Sequence, residues 1–145
     1  MYKNSSRWSG DLIQELATQK IKVGGMTDKG KILVVEDNDF VRMQMVKFLN
    51  DGGFTTCESR DGWEALSTLS TDTSAAVIDM RMQPMDGLEF IQRLHGFNKK
   101  IPVIVVTGYD TKGLEREPAL WNASAILTKP VPRDELIAAV ERALE

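Results

Sequence analysis

Four short apolar runs punctuate the chain: Lys31-Ile32-Leu33-Val34-Val35, Ala75-Ala76-Val77-Ile78, Ile101-Pro102-Val103-Ile104-Val105-Val106 and Ala125-Ile126-Leu127. A weaker fifth, Thr55-Thr56-Cys57-Glu58, follows the turn residues Asp51-Gly52-Gly53. Runs that are apolar at nearly every position suit strands covered on both faces, as in parallel sheets. Amphipathic stretches separate them. Val41, Met45, Phe48 and Leu49 fall at helical spacing, and Asn38 or Asp39 is placed to cap that helix. Trp63, Leu66 and Leu69 follow Asp61-Gly62, and Leu88, Ile91 and Leu94 follow Asp86-Gly87. Leu136, Ile137, Val140 and Leu144 mark a last helix, opened by Pro132 with Asp134 and Glu135 in its first turn. Between the fourth and fifth strands Pro118 interrupts a helix begun near Lys112, which predicts a short or kinked element.

Strand–helix alternation repeated five times predicts a single doubly wound α/β domain over residues 28–145. Its expected core is a five-stranded, flavodoxin-like parallel sheet flanked by helices on right-handed crossovers. In such sheets the functional groups gather outside the carboxyl ends of the strands. Residues 1–27 do not fit the alternation and read as an N-terminal extension. Within it, Asp11 and Gln14 suit a capping box for a short helix over 12–21, which Gly24-Gly25 would stop. Leu12, Ile13, Leu16 and Ala17 give that helix only a narrow apolar stripe, and Met26-Thr27-Asp28-Lys29 reads like a second protein start. A leader, a linker and an added segment all stay open; a loosely attached extension is preferred to a dedicated partner-binding helix.

Composition narrows the classes further. A length of 145 residues suits one domain, and 42% hydrophobic with 27% charged residues is a globular balance. The net charge of −3 argues against a chain built to neutralise nucleic-acid phosphates. No apolar run approaches the roughly 20 residues that span a bilayer, and the N-terminus lacks the apolar stretch of a secretory signal. Cys57 stands alone, so no internal disulfide forms, which fits a reducing compartment. The expectation is a cytoplasmic domain with neither nucleic acid nor membrane as partner.

The expected strand ends carry Glu36-Asp37, Asp79, Thr107 and Lys129-Pro130. Taken singly, each has a bland explanation as a helix cap or turn residue. Together they place three carboxylates, a hydroxyl and an ammonium at one sheet edge. Clustered carboxylates repel and raise one another's pKa. A hard cation such as Mg²⁺ relieves this while keeping positions open for phosphate oxygens. A carboxylate can then attack phosphorus to give an aspartyl phosphate, with the ammonium and hydroxyl stabilising the transferring group.

From about Lys29 to Glu145 the chain resembles the receiver domain of two-component response regulators. The matching pieces are Val34-Val35-Glu36-Asp37, Val77-Ile78-Asp79, Met82 with Met85-Asp86-Gly87, Val106-Thr107-Gly108 and Leu127-Thr128-Lys129-Pro130. The resemblance implies that Asp79 takes a phosphoryl group from a phosphohistidine on a histidine kinase or histidine phosphotransfer protein. It implies Mg²⁺ bound by Asp37 and Asp79, by Glu36 directly or through water, and by the backbone carbonyl of Arg81. It assigns Thr107 and Lys129 to phosphoryl oxygens, a cis bond to Lys129-Pro130, and room for the phosphoryl group to Gly108. The chain would then be a phosphoacceptor signalling domain with self-phosphorylation and autodephosphorylation chemistry rather than an enzyme. It would carry no output domain and act on a downstream protein target.

Four positions depart from the family pattern. Glu36 stands where aspartate is commoner, and Pro84 falls one position late in its loop. Ile126 replaces an aromatic switch three residues before Lys129, so no rotating ring relays the modified state there. Pro118 weakens the fourth helix, part of the surface through which the family often signals. The resemblance therefore implies phosphorylation without the conventional readout. Arg81 and Tyr109 flank the expected entrance, either tuning hydrolysis or simply facing solvent.

Other readings compete. Dinucleotide binding would need Gly-x-Gly-x-x-Gly after the first strand, and nucleotide hydrolysis a phosphate-binding Gly-x-x-x-x-Gly-Lys-Ser/Thr loop; both are absent. A flavin carrier would want a hydroxyl- and glycine-rich first loop instead of Glu36-Asp37-Asn38-Asp39, and an aspartyl phosphatase fits Asp37-Asn38-Asp39 only loosely. A pseudo-receiver, an unphosphorylated interaction module, is the main alternative; Ile126 leaves it open and the set Asp79, Thr107, Lys129 opposes it. His95 beside Gly96 reads as a helix C-terminal residue. The methionines Met43, Met45, Met80, Met82 and Met85, with Trp63 and Trp121, read as packing residues.

Overall fold

A computed structural model describes residues 28–98, 100–108, 114–120 and 122–145. The expected helix over 12–21, Tyr109, Lys112 and Trp121 lie outside the described residues. In chain order the elements are β1 (Lys31–Val35), α1 (Asp39–Asp51), β2 (Thr55–Ser59), α2 (Gly62–Thr68), β3 (Thr73–Asp79), α3 (Gly87–Phe97), β4 (Val103–Thr107), β5 (Ala125–Thr128) and α4 (Arg133–Ala143). Two short 3₁₀ turns, Leu114–Arg116 and Pro118–Leu120, stand between β4 and β5.

The five strands form one parallel sheet in the order β2-β1-β3-β4-β5. The chain passes from β1 outward to β2 and then back across β1 to β3, so a switch point lies between β1 and β3. The uninterrupted apolar runs are explained by this position. All residues of β4 are buried, as are those of β3 from Ala75 onward and of β1 from Ile32 onward. The edge strands β2 and β5 are half-exposed, which is why their sequences read more weakly.

Alternation along the strands divides the core into two layers. Ile32, Val34, Val77, Ile104 and Val106 pack with Met45, Leu49, Leu136 and Val140 of α1 and α4. Leu33, Val35, Ala76, Ile78 and Val105 pack with Ala65, Phe90, Ile91 and Leu94 of α2 and α3. Burying a Leu, Ile, Val or Phe side chain stabilises by roughly 1.5–3 kcal/mol, so the two apolar layers carry the fold.

Three helices begin with the same device. Asn38 Oδ1 accepts from the Val41 N–H at 3.0 Å, Asp61 Oδ1 from Glu64 at 2.9 Å and Asp86 Oδ1 from Glu89 at 2.9 Å. Each bond satisfies an otherwise orphaned amide of the first turn. Of the two capping candidates for α1, Asn38 is the cap and Asp39 the first helical residue. Gly87 opens α3 directly against the end of β3: a Cβ there would stand 2.7 Å from the Asp79 carbonyl oxygen. No other residue lets that helix approach so closely.

Several sequence expectations need correction. The fourth strand begins at Val103, not Ile101, although Ile101 is still buried. Leu69 lies beyond α2, and Leu144 caps α4 instead of belonging to it. Trp63 is 50% exposed and Met43 62% exposed, so neither is core filling, whereas Met45, Met82 and Met85 are buried. Arg93 accounts for Trp63: its guanidinium lies 4.8 Å from the ring centroid, half-covering the indole at the surface. A helix begun near Lys112 lies outside the described residues; among those described, Pro118 opens a 3₁₀ turn, and 3₁₀ turns stand between β4 and β5.

Candidate functional site

The strand register assembles the site. Val35 of β1 pairs with Ile78 of β3, so the next residues, Glu36 and Asp79, emerge side by side at the carboxyl edge. Asp79 in turn pairs with Val106 of β4, and Thr107 follows as the last residue of that strand. On the far side Lys129 leaves β5 with its amide donating to the Thr107 carbonyl at 2.8 Å. Local backbone pairing alone thus carries four side chains from four strands to one edge.

Their environments differ sharply. Glu36 is 1% exposed, Asp79 4% and Thr107 2%, whereas Asp37 and Arg81 are exposed. Carboxylate oxygens of Glu36, Asp37 and Asp79 all lie within 4.8 Å of one another. The Lys129 ammonium reaches across the sheet edge to donate to Glu36 Oε1 at 2.7 Å and stands 3.2 Å from Asp79 Oδ1. The second Glu36 oxygen accepts the Asn38 amide at 3.1 Å, and Asp79 Oδ1 accepts the Arg81 amide at 3.3 Å.

Burial pushes the Glu36 carboxyl above its ordinary value; the Lys129 and Asn38 hydrogen bonds only partly offset this, and the Asp79 charge adds to it. Burial alone would pull the Lys129 ammonium down. Its bond to Glu36 and the charges of Asp79 and Glu36 outweigh that effect, and its pKa stands above the ordinary lysine value. One ammonium therefore compensates three carboxylates incompletely.

That residual charge tests the fit of a divalent cation. The donor set is oxygen only, it is negatively charged, and its members lie close enough for one ion to reach them. A hard cation such as Mg²⁺ matches such a set, whereas zinc would call for nitrogen or sulfur ligands. Two clefts open on the same edge. One, of about 510 Å³, is lined by Met80, Arg81, Gln83, Thr107 and Leu114. The other, of about 410 Å³, lies between Phe40 and Gln44 on one side and Gly108, Lys129 and Pro130 on the other. A Cβ added at Gly108 would only touch the Lys129 stem, at 3.9 Å, so this flank of the lysine is open.

Five of the residues singled out from sequence, Glu36, Asp37, Asp79, Thr107 and Lys129, thus meet at one edge. Arg81 joins them through its main-chain amide. The Lys129-Pro130 bond is cis as expected, and Gln83-Pro84, in the loop with the late proline, is cis as well. His95 stands apart, late in α3, with Nε2 3.1 Å from the Ile101 carbonyl oxygen. Arg42, which the sequence reading passed over, donates to the Glu36 carbonyl at 2.8 Å. An arginine one turn into an amphipathic helix carries no sequence signal for this bond.

A family model described as the response regulator receiver domain matches residues 32–141. Among curated proteins, the chain is 36% identical over 110 residues to response regulator MprA of Mycobacterium tuberculosis, covering 74% of this chain and 47% of that protein. The chain thus spans about half the length of that relative. It is 30% identical over 115 residues to sporulation initiation phosphotransferase F of Bacillus subtilis, covering 79% of this chain and 93% of that one. Among solved structures, response regulator TrrA of Thermotoga maritima, in complex with Mg²⁺-BeF, superimposes with a TM-score of 0.72. It shares 26% identity, over 79% of this chain and 99% of that one. Chemotaxis protein CheY4 of Vibrio cholerae gives the same TM-score of 0.72 and 26% identity, over 79% and 98%. With four strand ends converging on one acidic edge and this agreement over most of its length, the chain belongs to the response regulator receiver domain family of two-component systems.

Proposed function

We propose that residues 28–145 work as a phosphoacceptor in which Asp79 receives a phosphoryl group from a phosphohistidine on a histidine kinase or phosphotransfer protein. The observation that carries this reading is the Lys129 ammonium shared between two buried carboxylates, 2.7 Å from Glu36 and 3.2 Å from Asp79. A stabilising core has no use for three acids around one base. A phosphoryl-transfer site uses each of them.

The side chains of Glu36, Asp37 and Asp79, with the Arg81 carbonyl, would hold Mg²⁺. When bound, it supplies positive charge to the equatorial phosphoryl oxygens and relieves repulsion among the carboxylates. The chain's own groups do the rest. Asp79 presents an oxygen to phosphorus; a P–O bond forms as the P–N bond to the donor imidazole breaks. The imidazole leaves with the electron pair and takes a proton from solvent. Lys129, held beside Asp79, pairs with a phosphoryl oxygen, and the Thr107 hydroxyl donates to another. The bond from Lys129 to Glu36 keeps the ammonium raised toward the edge instead of loose in solvent. Apolar surface at Phe40, 66% exposed beside the Lys129 cleft, suits a protein donor. Since Ile126 offers no ring to rotate, the modified state is passed on through loop and helix contacts with a downstream protein.

The test is the intact mass of the protein after incubation with acetyl phosphate, with and without Mg²⁺. One added phosphoryl group is expected on wild type with Mg²⁺, and none on Asp79→Asn or in EDTA. A folded protein that gains no mass and binds no beryllofluoride would instead be an interaction module that is never phosphorylated.

A further inference from the structure

Arg42 stands early in α1 with its side chain only 12% exposed. Its guanidinium spends three donors on three parts of the chain. Nη1 donates to the Glu36 carbonyl at 2.8 Å, Nη2 to Asp39 Oδ1 at 2.7 Å and Nε to Glu58 Oε1 at 3.2 Å. Asp39 begins α1 and also faces Arg60 at 3.5 Å, beyond the end of β2, while Glu58 lies on β2 itself. Burial costs the guanidinium, yet the bonds to Asp39 and Glu58 outweigh it and hold it firmly charged. The planar fork is therefore fixed from two sides by carboxylates, and its remaining arm grips the peptide that joins Glu36 to Asp37.

We infer that Arg42 is a positioning residue for the acid-bearing loop after β1, fixing the main chain from which the Glu36 and Asp37 carboxylates project toward Asp79. It touches neither metal nor phosphate. It sets the affinity of the site for a divalent cation, and through that the rate at which Asp79 is loaded. The inference rests on the phosphoacceptor reading above.

Electrostatics gives the test its sign. Removing a positive charge near an acidic pocket should, by Coulomb's law alone, strengthen cation binding. Removing a brace should weaken it, as losing an outer-shell partner of a metal ligand does by roughly 10–100-fold. Titration calorimetry with MgCl₂ on Arg42→Met is expected to show affinity at least about 10-fold weaker than wild type. Arg42→Lys keeps the charge but replaces a three-pronged fork by a point donor, and is expected to be weakened several-fold. Glu58→Gln removes the charge of one anchor of the fork but leaves an acceptor there and the bond to the Glu36 carbonyl, so its affinity should stay within about threefold. Loading by acetyl phosphate should recover in Arg42→Lys as Mg²⁺ is raised, a rescue that a purely structural defect would not show.

Far-UV circular dichroism establishes that each variant is folded, and if Arg42→Met is not, Arg42→Lys decides. Wild-type-like or tighter Mg²⁺ binding by the folded Arg42 variants would overturn the inference and leave the phosphoacceptor reading intact. A wild type that binds no Mg²⁺ would overturn both.

Discussion

The sheet carries ion pairs at both of its ends, and the two ends are built differently. At the amino end Lys29 meets Glu141 at 2.8 Å and Lys31 meets Asp72 at 3.4 Å, each one cation against one anion, and mostly in contact with solvent. Water screens such pairs, and they contribute about 0–1 kcal/mol each. At the carboxyl end the Lys129 ammonium, 23% exposed, faces Glu36, Asp79 and the nearby Asp37. Two of those carboxylates are buried, where an uncompensated charge costs several kcal/mol. The amino end is balanced and replaceable. The carboxyl end instead gathers Glu36, Asp37 and Asp79 around the Lys129 ammonium, an arrangement that could hold a cation and is ill suited to serve as a simple fastening.

The strongest way to break this contrast is Lys129→Met. Stripping the ammonium leaves Glu36 and Asp79 facing each other, and the metal-free protein should lose about 3 kcal/mol of unfolding free energy in urea. Mg²⁺ should return more stability to the variant than to wild type, because it restores positive charge at the same carboxylates. An identical loss with and without Mg²⁺ would mean that the ammonium and the cation do not share a site.

Glu36→Gln should act in the opposite direction. Burial raises the Glu36 pKa above 4.5, so folding favours its protonated form. Its contribution to stability is therefore fully present below pH 4.5 and lost as the pH rises through the raised folded value. In EDTA above that window the neutral amide should equal or exceed wild type in unfolding free energy. The gap should close as the pH falls toward 4.5, while Mg²⁺ affinity drops at neutral pH. A wild type clearly more stable than Glu36→Gln at neutral pH without metal would contradict the picture of surplus charge.

The smallest effects belong to the amino end. Lys29→Ala and Lys31→Ala should each change stability by less than about 0.5–1 kcal/mol, with phosphoryl loading unchanged. A loss comparable to that of Lys129→Met would erase the distinction between the two ends.

How far these features can be read from sequence follows the range of the forces involved. The strands of the sheet interior were legible because burial on both faces demands apolar residues at nearly every position. The β1 run, from Lys31 to Val35, matches the strand residue for residue. Asn38, Asp61 and Asp86 each precede a helix they cap, since a cap is a contact over three residues. Surface positions escaped the same logic. Trp63 falls at helical spacing with Leu66, yet it is half-exposed, and only the position of Arg93 on a different helix explains how it is covered.

By itself the sequence determined a parallel α/β sheet and the residue types at its carboxyl edge. Strand period, caps and glycines are local, whereas the order β2-β1-β3-β4-β5 is a property of the assembled sheet that crossover handedness alone does not fix. Only the tertiary structure decided how those groups share charge. Lys129 meets Glu36 across 93 positions of the chain, and Arg42 ties Glu36 to β2 through Glu58. Neither bond has a sequence period, because a side chain's partner in a buried polar cluster is set by which backbones approach it, and that is fixed only when the layers pack.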